Sequence, residues 1–249
     1  AQLGSWTFTS AAMCYSIVDM TLNGGNGDLT SVNNVLIDSA TEKIAGIGNC
    51  NGSEYWIAGH QWGTNNFYVY KLTAAGLSAP VISSVGAVHQ DIGSGQKSES
   101  IGYMKFSSDG KKLGLVTYVN LNVMELFDFN SLTGTVSNPI TEVYPFDPNN
   151  NLDGLYGCSF SPDNSKFYVS FFSQVSNSQV FQYDLTSPNP AAILASKTPV
   201  ATALTPFGAI QNGPNGKMYI SSFGVTTLDV INNPNLSGAA CSYTAATQN

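Results

Sequence analysis

Arginine is absent from this sequence of 249 residues, and all nine basic residues are lysine. No guanidinium fork and no basic stripe can hold a row of phosphates, which argues against nucleic acid and polyphosphate as partners. Charge of either sign is scarce, at 10% of the residues, where an ordinary globular protein has roughly 25%. Net charge is -7 and the pI is near 4.5. No apolar run approaches the ~20 residues of a membrane-crossing helix, so direct membrane insertion is not expected. No stretch beyond a few residues shows helical periodicity with caps. The start, Ala1 to Ser5, lacks the basic and apolar regions of a signal peptide, as expected of a processed or internal segment.

Cysteine is limited to Cys14, Cys50, Cys158 and Cys241, with no CxxC pair. That speaks against a zinc knuckle or a thioredoxin motif. One or two disulfides and a set of buried thiols both remain open. Histidine occurs only at His60 and His89, and no Gly-x-Ser-x-Gly elbow is present.

What is abundant is apolar and neutral polar material. Hydrophobic residues make up 43% of the chain, enough for a sizeable core. Asn (24), Ser (29) and Thr (19) must supply most of the surface.

A repeat organises the chain. Asn51-Gly52-Ser53-Glu54 precedes Tyr55-Trp56-Ile57-Ala58, and Asp109-Gly110-Lys111-Lys112 precedes Leu113-Gly114-Leu115-Val116. Asp163-Asn164-Ser165-Lys166 precedes Phe167-Tyr168-Val169-Ser170, and Asn215-Gly216-Lys217 precedes Met218-Tyr219-Ile220-Ser221. These turns lie 58, 54 and 52 residues apart. Asn-Gly and Asp-Gly tolerate the positive φ of tight hairpins.

A small-residue strand precedes each turn: Lys43–Gly48, Ile101–Ser107, Tyr156–Ser161 and Phe207–Gln211. Gly and Ser suit an inner strand crowded near an axis. An alternating strand follows each: Phe67–Leu72, Met124–Phe129, Val180–Leu185 and Leu228–Ile231, with an earlier copy at Cys14–Asp19. Four antiparallel strands per period predict an all-β single domain, a β-propeller. Blades are expected at about 42–85, 100–141, 155–200 and 207–245. A partial blade over 1–41 (Trp6–Thr9, Cys14–Met20, Asn33–Ile37) brings the visible count to about five. Cys241–Ala245 could supply its missing strand and close the ring; otherwise the chain is part of a larger ring.

These residues are similar to a known family. Tyr15-Ser16-Ile17-Val18-Asp19-Met20, Leu22–Asp28, Glu42-Lys43-Ile44, Tyr55-Trp56-Ile57 and Pro80–His89 carry the likeness. So do Gly102–Gly110, Glu125–Phe129, Ser137–Thr141, Ile231–Asn235 and Gly238–Cys241. In this order they resemble the surface-protein propellers of Bacteroidetes that accompany PKD modules and a gliding-motility-type C-terminal sorting signal. The resemblance implies export through the type IX system, display outside the cell and other modules on the same polypeptide. It implies no established catalytic activity.

Strand order places the unusual residues on the face opposite the tight turns. Trp62, with Tyr118 and Phe171 on analogous loops, could form an aromatic platform for a sugar or peptide, or could pack between blades. His60 and His89, with a facing carboxylate such as Glu99, could bind a metal or act as acid and base, or could be hydrogen-bonded loop histidines. Asp147, Asn149, Asn151 and Asp153 alternate oxygen side chains as a Ca2+ loop would, or as an Asn-rich connection would. The expected function is non-enzymatic binding or adhesion outside the cell, with a glycan or protein ligand. The alternative is a metal-dependent hydrolase or lactonase, with Glu42, Glu99 and Asp153 converging on the axis.

Overall fold

The computed structural model describes residues 11–49, 52–91, 98–145 and 153–248. The chain is an all-β propeller of four antiparallel blades. Strand β1 (Ala11–Asp19) forms a hairpin with the long β2 (Asp28–Gly48). The second half of β2 is the inner strand of the first blade. It is followed by β3 (Tyr55–Gln61), β4 (Asn66–Thr73), the two-residue β5 (Gly76–Leu77) and β6 (Val81–Ser84).

The second blade holds β7 (Met104–Phe106), β8 (Lys112–Val116), β9 (Val123–Asn130) and β10 (Thr135–Val143). The third holds β11 (Gly154–Phe160), β12 (Lys166–Phe172), β13 (Ser178–Asp184) and β14 (Thr198–Ala203). The fourth holds β15 (Phe207–Asn212), β16 (Met218–Ser222), β17 (Leu228–Ile231) and β18 (Tyr243–Gln248). One short helix, α1 (Pro190–Ala195), links β13 to β14; Asn189 caps it by accepting from the Ala191 amide, and Pro190 sits in its first turn.

The repeated turn chemistry has a common geometry. Gly52, Gly110, Asn164 and Gly216 take φ of 67°, 65°, 61° and 75° at the same place in the four blades. Two turns are locked alike: Ser107 Oγ donates to Asp109 Oδ1 and Ser161 Oγ to Asp163 Oδ1, both at 2.7 Å.

Two expectations change. Residues 11–40 do not make a separate partial blade, because β2 runs unbroken from its pairing with β1 into its pairing with β3. The hairpin therefore belongs to the first blade's sheet, and Met13 and Ile37 cover Gly59 on that sheet. Trp6–Thr9 lies outside the described residues. The segment expected to close a ring instead supplies the outer strand of the fourth blade, since Tyr243 pairs with Ile231 and Thr244 with Val230.

Three apolar clusters fill the spaces between successive blades. Trp56, Phe67 and Val69 meet Leu113, Phe127 and Phe129. Leu126 and Tyr144 meet Leu155, Phe167 and Tyr183. Tyr168 and Val180 meet Phe207, Ile220 and Cys241. Each fully buried side chain of this size contributes about 1.5–3 kcal/mol. Close approach demands glycine where rings cross: a Cβ at Gly114 would stand 2.5 Å from the Phe167 ring. Near the axis, a Cβ at Gly157 would stand 2.5 Å from the Gly208 carbonyl oxygen, which explains the small residues of the inner strands. Broad packing among the described residues joins the blades in chain order, first to second, second to third and third to fourth.

Candidate functional site

The face opposite the tight turns carries an aromatic cleft of about 460 Å³, walled by Tyr118, Tyr156, Phe172 and Phe223 and floored near Gly208 and Ser221. Three blades build it. Tyr118 follows β8, Tyr156 lies on the inner strand β11, Phe172 ends β12 and Phe223 follows β16. Tyr118 is set by a backbone bond from its amide to the Ile101 carbonyl, 3.1 Å. Its ring meets Tyr156 at 6.2 Å and Phe172 at 5.9 Å, both edge to face. Phe172 meets Phe223 at 6.1 Å in the same manner, and Phe223 is 65% exposed. Edge-to-face contact holds each ring by its neighbour and leaves ring faces for a ligand. Burial, with Asp153 and Tyr156 nearby, pushes the Tyr118 hydroxyl up to about 12, so it is a neutral donor at physiological pH.

Of the expected platform residues, Tyr118 is in this cleft and Phe171 is not. Phe171 pairs with Leu155 and Phe172 with Gly154, so the two rings leave β12 on opposite faces. Phe171 instead stacks on Tyr144, centroids 6.4 Å apart, and packs against the second apolar cluster. Trp62 is half-buried beside β2, its amide bonded to the Ser39 carbonyl, and does not line the cleft.

A second recess of about 350 Å³ adjoins the first, because Tyr156 lines both. Glu42, Lys43, Gly102 and Tyr103 complete it. Glu42 Oε1 accepts from the Gly102 amide at 3.0 Å. Lys43 is buried, and its ammonium donates to the carbonyls of Glu99, Ser100 and Ile101 at 3.1, 2.9 and 2.9 Å. Burial draws its pKa down to about 7, with Glu42 the largest opposing influence.

His60 and His89 are brought together, but inside the protein. Both are fully buried between the first and second blades, ring centroids 3.8 Å apart. None of their four ring nitrogens has a hydrogen-bond partner. The facing carboxylate is Glu125, whose Oε2 is 4.0 Å from His89 Nε2. Glu99 is also buried; its Oε1 accepts from Asn120 Nδ2 at 2.7 Å. Burial holds His60 near 3 and His89 well below its ordinary value, with Lys43 pushing both in the same direction.

Asp153 is committed to the loop that follows β12, accepting from Ser173 Oγ at 2.7 Å and the Gln174 amide at 3.1 Å. Asp147, Asn149 and Asn151 lie outside the described residues. Glu42, Glu99 and Asp153 are thus each held by separate partners. Among the described residues, no three His, Cys, Asp or Glu side chains are placed to hold a metal ion. The cysteines expected as either bridged or buried divide otherwise: Cys14 is exposed, Cys158 and Cys241 are buried, and all three are free thiols. Cys158 is sealed in the core between the second and third blades, and burial raises its thiol to about 12. Cys50 lies outside the described residues.

Sequence reasoning missed Tyr156, Phe172 and Phe223. Tyr156 hides in an inner strand read for its small residues, whereas Phe223 follows the second strand of the fourth blade, the repeat position of Trp62 and Tyr118, and the repeat itself could have found it.

No known protein family matches the sequence, and no curated protein does. Solved structures do share the fold. The periplasmic gluconolactonase of Pseudomonas aeruginosa superposes with a TM-score of 0.51 at 14% identity, over 82% of this chain and 56% of its own. A candidate 6-phosphogluconolactonase from Bacteroides uniformis gives 0.50 at 12% identity, over 83% of this chain and 56% of its own. The chain therefore spans just over half the length of each, and at these identities the likeness is one of propeller architecture alone.

Proposed function

We propose that this chain is a non-enzymatic binding module of a secreted cell-surface protein, taking a glycan or protein ligand on the face opposite the tight turns. The observation that carries the reading is the open aromatic cleft, where four rings from three blades converge. Concave apolar walls with a few polar groups are what small ligands and protruding side chains fill. The neutral Asn/Ser/Thr surface and the absence of arginine fit a ligand without phosphate. Extracellular display and neighbouring modules follow from the resemblance in the sequence.

The test is titration calorimetry against neutral oligosaccharides and a surface peptide library, with Phe172→Ala and Tyr118→Ala beside the parent chain. Binding that falls at least tenfold in both variants, with a melting temperature within about 4 °C of the parent's, supports the reading. Binding that survives both substitutions, or no binding to any ligand, overturns it.

A further inference from the structure

We infer that the cleft and the recess beside it form one two-subsite groove for an oligosaccharide bearing a free amino sugar. The inference rests on the aromatic cleft being the ligand site. Continuity comes from Tyr156, which lines both cavities, so a chain seated on Phe172 and Tyr118 runs on toward Glu42.

The charges of the two subsites differ. None of the residues lining the cleft is charged, so it suits the uncharged C–H face of a pyranose ring. The recess presents one exposed carboxylate, Glu42. Its Oε1 is fixed by the Gly102 amide, and Oε2 accepts no hydrogen bond among the described residues. Among the described residues, the two lysine ammoniums beside the recess are already hydrogen-bonded to neutral oxygens. The three N–H bonds of Lys43 are spent on three backbone carbonyls. Lys105, 5.7 Å above the Tyr103 ring, donates to Gln211 Oε1 at 2.8 Å. A sugar ammonium meeting Glu42 would make a charge-assisted hydrogen bond, about twice as strong as a neutral one. A uronate there would face Glu42 with like charge.

The experiment compares glucosamine oligomers, their N-acetylated counterparts and a uronate oligomer by calorimetry at mildly acidic pH. It uses the parent chain, Glu42→Gln and Phe172→Ala. Glutamine keeps a carbonyl oxygen for the Gly102 amide, so that variant is expected to fold. The expected result is a roughly tenfold preference for the free amine over the N-acetyl form, equal to about 1.4 kcal/mol, and no uronate binding. In Glu42→Gln the preference disappears, while Phe172→Ala weakens amine and N-acetyl forms alike. Equal affinity for both forms, untouched by Glu42→Gln but lost in Phe172→Ala, overturns the amino-sugar inference and leaves the aromatic cleft standing. No oligosaccharide binding at all overturns the inference, and peptide binding lost in Phe172→Ala would then still support the broader reading.

Discussion

His60 and His89 lie face to face, ring centroids 3.8 Å apart and planes 23° from parallel, with no hydrogen bond to any ring nitrogen. Phe67 closes the other side of His60 edge-on at 4.8 Å. Two imidazoles stacked in this way stay neutral together, because a proton on either would be buried unsolvated near the Lys43 ammonium.

That arrangement makes the first pair of blades sensitive to acid. The folded state holds both histidines below the unfolded value of 6.5, His60 near 3. Unfolded chains therefore bind more protons in this window. Their stabilising contribution is complete above pH 6.5 and drains away as pH falls toward 3. Each such proton costs up to about 1.4 kcal/mol per pH unit. Glu125 works the other way, since burial raises its pKa and the folded state retains its proton at higher pH. Thermal melts across this range should show the midpoint falling with pH, and a His60→Leu/His89→Leu variant should show a shallower fall. A midpoint independent of pH in the parent chain would contradict neutral burial.

Phe171 and Phe172 should separate stability from binding. Phe171→Ala removes a half-buried ring stacked on Tyr144, at a cost of about 2 kcal/mol in urea unfolding. Phe172→Ala should cost less than half of that and weaken ligand binding instead. Equal losses of stability in the two would mean the strand register is shifted.

Gly102 and Gly52 both need positive φ, at 124° and 67°, but in different surroundings. A Cβ at Gly102 would collide with the Val116 carbonyl oxygen, whereas at Gly52 nothing stands within 4 Å. Gly52→Ala should cost about 1 kcal/mol of backbone strain. Gly102→Ala should cost about 3 kcal/mol or prevent folding, because strain and a clash with main chain add. Denaturant midpoints decide it, and the reverse order would refute the geometry.

An ion pair follows the tight turn in three blades, directly opposed in the second and third and diagonal in the first, where Lys71 faces Trp56, and its polarity is not fixed. Lys112 Nζ meets Asp128 Oδ1 at 2.7 Å and Lys166 Nζ meets Asp184 Oδ2 at 3.2 Å, while the first blade has Glu54 Oε2 and Lys71 Nζ at 2.7 Å. Glu54→Lys should lose a few tenths of a kcal/mol, as part-exposed pairs do, and adding Lys71→Glu should restore it. A double variant no better than the single would show that the pair contributes no coupling.

The blades were legible because their turns are local. A residue at positive φ next to a β-rich run is written in four consecutive letters, and Asn51-Gly52 or Asp109-Gly110 needs no distant partner to be read. Tyr118 was legible for a similar reason, lying on the predicted loop after a second strand. Phe172 was not, because two adjacent phenylalanines differ only in parity, and parity is set by pairing with Leu155 and Gly154 across the sheet. The His60–His89 stack depends on blade-to-blade packing over 29 positions and on Glu125 from another strand. The unbroken run of β2 was hidden by its Asn, Ser, Thr and Glu residues, which resemble a loop until β1 and β3 pair with it.

The free thiols have a practical consequence. Cys158 and Cys241 sit in separate interblade cores, and Cys14 stands exposed on the first hairpin. The interblade packing therefore needs no oxidant to form. Reducing and oxidising compartments should yield the same folded chain, an oxidative folding catalyst should not speed it, and dithiothreitol should leave its melting temperature where it was. Cys14 also gives the molecule a reachable point for maleimide coupling, on the hairpin and away from the aromatic cleft, where a fluorophore can report on ligand without competing for it.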